Sequence, residues 1–274
     1  MKTVCAICLH TCALSPGQAG LCGARVNENG KIVAQNYGML TALVLDPIEK
    51  KPLARFHPGS YILSAGSYGC NLKCPFCQNS DISMPEGAIP ATYTPPEALV
   101  EKALSLQSNG NIGIAYTYNE PLVGYEYVLD CATLAHKNGL FNVAVTNGMV
   151  CPAPLEALLP HLDAMNIDLK AFTQAFYDKV GGDLDAVKNS IALAAKHCHV
   201  EVTTLIIPGE NDSQQEIEAL AAWLASVNPK IPLHVSRFFP RFHMTEKPPT
   251  PVQTIYALAS TARKHLKYVY EGNC

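Results

Sequence analysis

Three cysteines, Cys70, Cys74 and Cys77, lie within eight positions in the segment GCNLKCPFC. Thiolates at this spacing bind a metal, and three of them leave one coordination position open. A structural zinc site uses four ligands in a closed tetrahedron, usually from two separated cysteine pairs. A [4Fe–4S] cluster held by three thiolates keeps one iron that can accept a small-molecule chelate. The loop therefore favours such a cluster, with a zinc loop completed by a distant Cys or His as the alternative.

A second cysteine-rich segment, CAICLHTCALSPGQAGLC, lies near the N-terminus and includes His10. Its four thiols are Cys5, Cys8, Cys12 and Cys22. Four thiolates close a tetrahedral zinc site or hold a second iron–sulfur cluster, and the spacing does not decide between the two. We favour a structural metal ion, with an auxiliary redox cluster and the absence of any metal as the alternatives. The cysteines within or beside helix-like segments are interpreted as small apolar residues: Cys131, Cys151 and Cys198.

Composition excludes several classes of function. The chain has 274 residues, enough for one large domain with a substantial core. Lys and Arg number 20 against 23 for Asp and Glu, and no basic block is present, so neither nucleic acid nor an anionic membrane is an expected partner. The first residues do not resemble a signal peptide, and no apolar run approaches 18 residues, which predicts a cytoplasmic protein. Eleven cysteines in such a chain favour metal or redox chemistry over disulfides.

The elements that must position these cysteines follow a βα period. Strand-like segments rich in β-branched residues alternate with longer segments of helical period. The predicted strands are 61–67, 111–118, 141–148, 164–172, 200–209, 232–240 and a short last one at 267–272. Strands that are apolar on both faces are typical of a parallel sheet covered by helices. We predict an α/β fold with about six βα units in a full or partial (β/α)6-type parallel barrel; a doubly wound open sheet is the alternative.

The first part of the chain lacks the βα period. We predict a Cys-rich, metal-binding appendage over 1–58, with a hairpin around NENGKIV, and the barrel over 59–274. In βα barrels the chemistry lies at the carboxyl ends of the strands. The polar candidates that follow predicted strands are Cys70 to Cys77, Asn119, Glu120, Thr146, Asn147, Lys170, Pro208 and Arg237.

The motif Cys-x3-Cys-x2-Cys after the first strand of a βα barrel, with Phe76 before the last cysteine, resembles the radical S-adenosylmethionine (SAM) superfamily. The resemblance implies that Cys70, Cys74 and Cys77 hold a [4Fe–4S] cluster whose open iron binds SAM through its amino and carboxylate groups. It further implies that one electron, from a donor such as flavodoxin or ferredoxin, cleaves SAM to methionine and a 5′-deoxyadenosyl radical. That radical abstracts hydrogen from a substrate.

The resemblance also implies residues that contact SAM. Phe76 is expected beside the adenine. Glu120, in YTYNEP, is the candidate for the methionine amino group, with Asn119 as its neighbour; a helix cap is the alternative for this motif. Thr146 and Asn147, in VTNG, are candidates for ribose or methionyl contacts, although Asn-Gly is also an ordinary turn signal.

The segment NIDLKAF carries a charged pair. Asp168 and Lys170 alternate with apolar residues, so both side chains are expected on one face of the strand. Such a pair inside a barrel is costly unless it holds something. The pattern resembles the Asp-x-Lys of glycyl-radical activases, which implies that Lys170 meets the SAM carboxylate with Asp168 in the same pocket. Thr204 on the next strand is a weaker candidate.

The order of the motifs resembles the pyruvate formate-lyase-activating enzyme group. Across almost the whole chain, the segments LDPIEKKPL, FHPGS, GCNLKCPFCQN, YTYNEP, NIDLKAF and SRFFPRFHM are similar to the activase-like radical SAM proteins of the AmmeMemoRadiSam system. We therefore predict hydrogen abstraction from a protein substrate. The alternatives are radical modification of a small molecule or peptide, and a non-catalytic iron–sulfur electron carrier.

The chain departs from this resemblance at Phe239. Relatives usually have a His at this position, and in activases a His near there contacts SAM. A Phe side chain cannot make that hydrogen bond.

Overall fold

A computed structural model describes residues 1–274. Its strands are β1 Thr3–Val4, β2 Ala13–Leu14, β3 Arg25–Glu28, β4 Lys31–Ala34, β5 Met39–Leu40, β6 Ala42–Pro47, β7 Tyr61–Gly66, β8 Thr92–Tyr93, β9 Asn111–Tyr116, β10 Phe141–Thr146, β11 Ala164–Asp168, β12 His199–Ile206, β13 Leu233–Arg237 and β14 Val269–Gly272. Its α-helices are α1 Ser80–Ser83, α2 Pro96–Ser105, α3 Tyr125–Lys137, α4 Pro152–Leu158, α5 Gln174–Val180, α6 Leu184–Ala194, α7 Gln214–Val227 and α8 Val252–Ala262.

The central sheet has eight strands in the order β14-β13-β12-β11-β10-β9-β7-β6. All neighbouring pairs are parallel except β6 with β7, which is antiparallel. Because the strand order never reverses, right-handed crossovers place every connecting helix on one face of the sheet. A doubly wound sheet needs such a reversal, so that alternative is wrong and the predicted partial barrel is confirmed. The edge strands β6 and β14 are not paired with each other, so the barrel is open on one side.

Alternation along the strands separates an outer core from the inside of the barrel. In β12, Val200 and Val202 belong to the main apolar core of 54 residues, which includes the buried stripes of the helices. Glu201, between them, points to the opposite face. Six βα units precede the last strand, as the period predicts. The short helix α5 was not predicted; it ends at Gly181, whose φ of 73° is the left-handed conformation that glycine adopts most easily.

The N-terminal part contains the predicted hairpin. Strands β3 and β4 pair antiparallel around Asn29 and Gly30, whose φ values of 53° and 94° suit a tight hairpin turn. The later part of this region joins the barrel, because β6 pairs with β7 along six residues.

The segment 48–57 fills the inside of the barrel near its amino end. Its side chains Ile48, Leu53 and Phe56 form a small inner core, and the strand residues in contact with them are Ile62, Ala115, Val143 and Ala164. The boundary at residue 58 stays a prediction, but the structure joins residues 42–57 to the sheet and core of the barrel. No helix combines the length and apolar character that a membrane crossing requires.

Candidate active site

The cysteine loop leaves the carboxyl end of β7. Cys74 is buried, whereas Cys70 and Cys77 are partly exposed. Gly69 precedes the first cysteine with a φ of 89°, and a Cβ atom there would lie 2.6 Å from the carbonyl oxygen of Cys22. Only glycine fits this close approach, so the backbone at Gly69 can pass directly against Cys22 where the cysteine loop begins.

The thiols of the loop suit an iron–sulfur cluster. Burial raises the pKa of Cys74 to about 11, and that of Cys70 also lies above its ordinary value. Buried thiolates therefore need a compensating positive charge, which a metal centre supplies. The Leu72 amide and the Asn147 Nδ2 donate to the Cys70 sulfur at 3.4 and 3.6 Å. Hydrogen bonds of this kind to ligand sulfur adjust the properties of such clusters, so the donor set fits the group.

Glu120 is 3% exposed and ties two strand ends together. Its Oε1 accepts from the Thr146 hydroxyl at 2.7 Å and from the Leu122 amide at 3.0 Å. Its Oε2 accepts from the Asn147 amide at 2.7 Å. Burial raises the pKa of Glu120 to about 7, against the lowering effect of these hydrogen bonds. The predicted capping bond is present at Leu122, and Oε2 keeps the capacity for a second donor.

Asn119 braces the backbone that leads into the cysteine loop. Its Oδ1 accepts from the Ser67 amide at 3.0 Å, and its Nδ2 donates to the carbonyls of Tyr68 and Gly69 at 3.0 and 3.1 Å. A contact to the Glu120 carbonyl at 3.2 Å completes the set. The amide of Asn119 is thus engaged with backbone, which makes it a positioning residue for the loop in this structure.

An amide network that sequence reasoning missed centres on Asn71, inside the cysteine loop. Its Nδ2 donates to the Met149 carbonyl at 2.5 Å, and its Oδ1 accepts from Asn147 Nδ2 at 2.9 Å. Asn147 in turn accepts from the Met149 amide through Oδ1 at 2.8 Å. The loop after β10 is therefore fastened to the cysteine loop. The one available signal was the position of Asn71 between two candidate cluster ligands.

Asp168, the last residue of β11, and Lys170, just after the strand, form the expected pair. Lys170 Nζ lies 2.9 Å from Asp168 Oδ2, and the Lys170 side chain is 16% exposed. Burial by itself would lower the pKa of Lys170, but the Asp168 carboxylate and the Cys74 thiol hold it above its usual range. Lys170 is therefore a buried cation beside the cysteine loop.

The remaining predicted residues differ in their placement. Phe76 is buried against Phe176, with ring centroids 6.1 Å apart. Thr204 lies on the same face of β12 as Val200 and Val202, which pack against the helices. Its side chain therefore does not reach the inside of the barrel. Phe239 is 44% exposed and stacks on the Arg237 guanidinium at 4.7 Å.

A polar group inside the barrel also escaped sequence reasoning. Asp46 accepts from Lys51 Nζ at 2.8 Å and from the Tyr118 hydroxyl at 2.5 Å. Lys51 is buried and lies 4.5 Å from the centre of the Tyr118 ring. Burial lowers the pKa of Lys51 below its usual range, and the Asp46 carboxylate opposes that shift. Tyr118 has a φ of 72°, which turns its ring over Gly66. The motif LDPIEKK contains both Asp46 and Lys51, but no local pattern predicts that these two charges meet inside the barrel.

The N-terminal cysteines lie next to the cysteine loop. All four line one cavity, and the Cys70 amide donates to the Cys22 carbonyl at 3.1 Å. No three Cys, His, Asp or Glu side chains anywhere in the chain converge closely enough to form a ready single-ion site. This holds equally for the N-terminal group and for the trio of the cysteine loop.

Comparison with known proteins decides the family. Residues 65–224, more than half of the chain, match the family described as Radical SAM superfamily. The chain belongs to the radical SAM superfamily. Members use a [4Fe–4S] cluster and SAM, whose reductive cleavage supplies radical chemistry, so this radical SAM protein is an enzyme that binds SAM.

Individual relatives of this radical SAM protein differ in what is known of them. It is 41% identical to an uncharacterised protein of Methanocaldococcus jannaschii, MJ0808, over 99% of this chain and 81% of the relative. It is 25% identical to the pyruvate formate-lyase-activating enzyme of Clostridium pasteurianum, over 56% of this chain and 65% of that enzyme. A radical SAM methyltransferase structure from Sphaerobacter thermophilus superposes with a TM-score of 0.60 and 14% identity, covering 79% of this chain and 67% of that one. At that identity the likeness concerns the fold alone.

Proposed function

We propose that this radical SAM enzyme abstracts hydrogen from a protein substrate, as an activase does. The observation that carries the proposal is the juxtaposition of the three-cysteine loop with the partly buried Asp168–Lys170 pair at the carboxyl end of an open-sided parallel barrel. The Lys170 cation and the buried Glu120 carboxylate near this loop complement the carboxylate and the amino group of an amino acid, such as the methionine part of SAM. An electron carrier without turnover has no use for these groups.

The proposed roles follow from charge and position. Cys70, Cys74 and Cys77 hold the cluster. Lys170 meets the carboxylate of SAM, and Asp168 keeps Lys170 charged and oriented. Glu120 offers its remaining acceptor capacity to the amino group.

Other residues position these groups or contact the rest of SAM. Asn119, Thr146 and Asn147 hold Glu120 and the loop in register. Thr146 and Asn147 are also proposed to contact ribose or methionyl atoms of SAM, because Asn147 lies at the Cys70 end of the site. Phe76, buried inside the loop, is proposed beside the adenine.

The open side of the barrel supports a macromolecular substrate. The sheet ends at β6 and β14 without closing, and Leu43 and Val44 on β6 are exposed. A segment of another protein can therefore approach from the side as well as from the mouth. The partial identity to a pyruvate formate-lyase-activating enzyme agrees with this choice.

A small-molecule or peptide substrate is the second candidate, and one observation favours it. The group formed by Asp46, Lys51 and Tyr118 lies inside the barrel, where a compact polar substrate would find hydrogen-bonding partners.

A flavodoxin or ferredoxin is proposed as the electron donor. The N-terminal thiols are proposed to bind a second metal, as zinc or as a second iron–sulfur cluster.

The test is reductive cleavage of SAM. The full chain is reconstituted with iron and sulfide without air, its cluster is confirmed spectroscopically, and dithionite and SAM are added. We expect 5′-deoxyadenosine from the wild type and none from Cys70→Ala, whereas Cys198→Ala, altered far from the loop, keeps the activity. A confirmed cluster that yields no 5′-deoxyadenosine would refute the proposed function.

A further inference from the structure

The sulfur of Cys70 accepts hydrogen bonds from two donors. The Leu72 amide lies 3.4 Å from it and belongs to the cysteine loop itself, whereas Asn147 Nδ2, at 3.6 Å, comes from the chain after β10. The first donor is a backbone group that no substitution of a side chain removes. Asn147 is the side-chain donor, so its bond to this sulfur can be deleted without changing the loop.

The backbone of Met149 dictates which way the Asn147 amide faces. The Met149 N–H can only donate, so the Asn147 atom 2.8 Å away from it is the oxygen Oδ1. Nδ2 must then lie on the other side of the amide, where its two hydrogens meet the Cys70 sulfur and, at 2.9 Å, Asn71 Oδ1. The direction of the N–H···S bond therefore follows from the chemistry of a peptide group.

Asn71 is fixed in the complementary way. The Met149 carbonyl can only accept, so the Asn71 atom 2.5 Å away from it is Nδ2. Asn71 Oδ1 is left to accept from Asn147 Nδ2. Both side chains are buried, and reversing either amide would set two donors or two acceptors against each other, which is costly away from water. The N–H and the carbonyl of one residue thus fix both amides.

The turn that carries Met149 is itself held in place. The Gly148 carbonyl accepts from the Ser190 hydroxyl of α6 at 2.7 Å and from the Val150 amide at 3.0 Å. The Gly148 amide donates to the Thr146 hydroxyl at 3.1 Å. The two amides are therefore fastened to a peptide that β10 and α6 support.

A hydrogen bond to a ligand sulfur affects the two oxidation states of a cluster unequally. Reduction adds negative charge that the thiolate sulfurs share, so an N–H donor stabilises the reduced state more than the oxidised state. The effect is larger where water does not compete, and Asn147 is buried. A donor aimed at Cys70 therefore raises the reduction potential.

We propose that Asn147 raises the reduction potential of the cluster through its hydrogen bond to Cys70, and that Asn71 is a positioning residue that keeps this bond in place. These roles rest on the proposed function of Cys70 as a cluster ligand and on nothing about the substrate. Asn147 Oδ1 keeps capacity for a second donor, so a contact with SAM is compatible with this role.

The first experiment measures the midpoint potential of the reconstituted cluster without SAM, by a redox titration followed by electron paramagnetic resonance. Asn147→Leu keeps a similar side-chain volume but has no donor. We expect the equilibrium constant for reduction to fall about tenfold, the effect of one lost hydrogen bond, which lowers the potential by about 59 mV for one electron. A potential equal to that of the wild type would refute the role of Asn147.

Asn79→Leu is the matched control for this substitution. Asn79 is exposed and lies two residues after Cys77, and its Nδ2 donates to the Tyr118 carbonyl at 2.7 Å. The control removes an amide of the same kind beside the same loop, but one that does not donate to sulfur. We expect the wild-type potential, and a shift as large as that of Asn147→Leu would contradict the assignment.

The second experiment tests whether Asn71 acts through Asn147. Asn71→Leu alone should lower the potential. Added to Asn147→Leu it should cause no further shift, because the bond that Asn71 positions is already absent. Additive shifts would overturn the positioning role.

A third measurement uses the wild type and covers the case in which the variants fail to hold a cluster. With asparagine labelled with ¹⁵N at Nδ2, we expect a hyperfine coupling of this nitrogen to the reduced cluster, transmitted through the N–H···S bond. Absence of the coupling would overturn the proposal. None of these measurements needs SAM or a substrate, so a cluster that shows the expected shift but fails to cleave SAM would refute only the proposed function.

Discussion

At the scale of single residues, the pair of Asp168 and Lys170 carries the most specific prediction. Lys170→Ala removes the buried cation proposed to meet the SAM carboxylate. We expect SAM affinity to fall by about 1.5–3 kcal/mol, the range for a hydrogen bond to a charged group. Calorimetric titration of SAM into the reconstituted protein without air measures this.

Lys179→Ala is the matched control for this change. Lys179 pairs with Glu210 at 2.6 Å, but its side chain is 62% exposed, so its removal should leave SAM binding unchanged. If Lys170→Ala also binds SAM with wild-type affinity, Lys170 does not belong to the site.

At the scale of elements, Glu201 connects strand β12 to the segment 48–57 that fills the barrel. It is fully buried and accepts from the Ala54 and Arg55 amides at 3.0 and 2.7 Å. His199 and His234 contact the same carboxylate at 2.9 and 2.6 Å. Burial by itself would raise the pKa of Glu201, but hydrogen bonds from the two histidines and the Arg55 amide lower it to about 2.

The lowered pKa of Glu201 makes this connection dependent on pH. A carboxylate with a depressed pKa stabilises the fold above its ordinary pKa of 4.5 and loses that contribution as the pH falls toward 2. The contribution is on the order of 3 kcal/mol. We expect Glu201→Gln to be less stable than the wild type near neutral pH, with a gap that narrows as the pH falls from about 4.5 to about 2. Urea unfolding of the cluster-free proteins across this range measures the gap, and a constant gap would contradict the assignment.

At the scale of the whole molecule, the barrel depends on residues that precede its first parallel strand. A chain of residues 59–274 lacks the edge strand β6 and exposes the inner core that Ile48, Leu53 and Phe56 cover. Losing each large buried side chain costs about 2–5 kcal/mol, so the total approaches the stability of a whole domain, about 5–15 kcal/mol. We expect 59–274 to be insoluble or to unfold without a cooperative transition.

A chain of residues 39–274 keeps both the edge strand and the filling segment, and it should unfold cooperatively when followed by circular dichroism. Cooperative unfolding of 59–274 itself would show that the barrel is complete without residues 42–57.

The sequence by itself determined the features that depend on local spacing. Three cysteines within eight positions predict a loop that binds an iron–sulfur cluster, and the βα period predicts a parallel sheet whose carboxyl ends carry the polar candidates. Alternation along NIDLKAF correctly placed Asp168 and Lys170 together, because side chains two apart in an extended segment share a face.

Only the tertiary structure decided which distant segments meet. In the structure Asn119 contacts the loop backbone, Glu120 contacts the chain after β10, and the Cys22 carbonyl accepts from the Cys70 amide. Residues 48–57 also lie inside the barrel. The sequence assigned them to the separate N-terminal part, because they lack the βα period. The physical reason is that periodicity and spacing report on neighbours along the chain. Hydrogen bonds and packing between segments far apart in sequence depend on how the whole sheet curls, which no local pattern encodes.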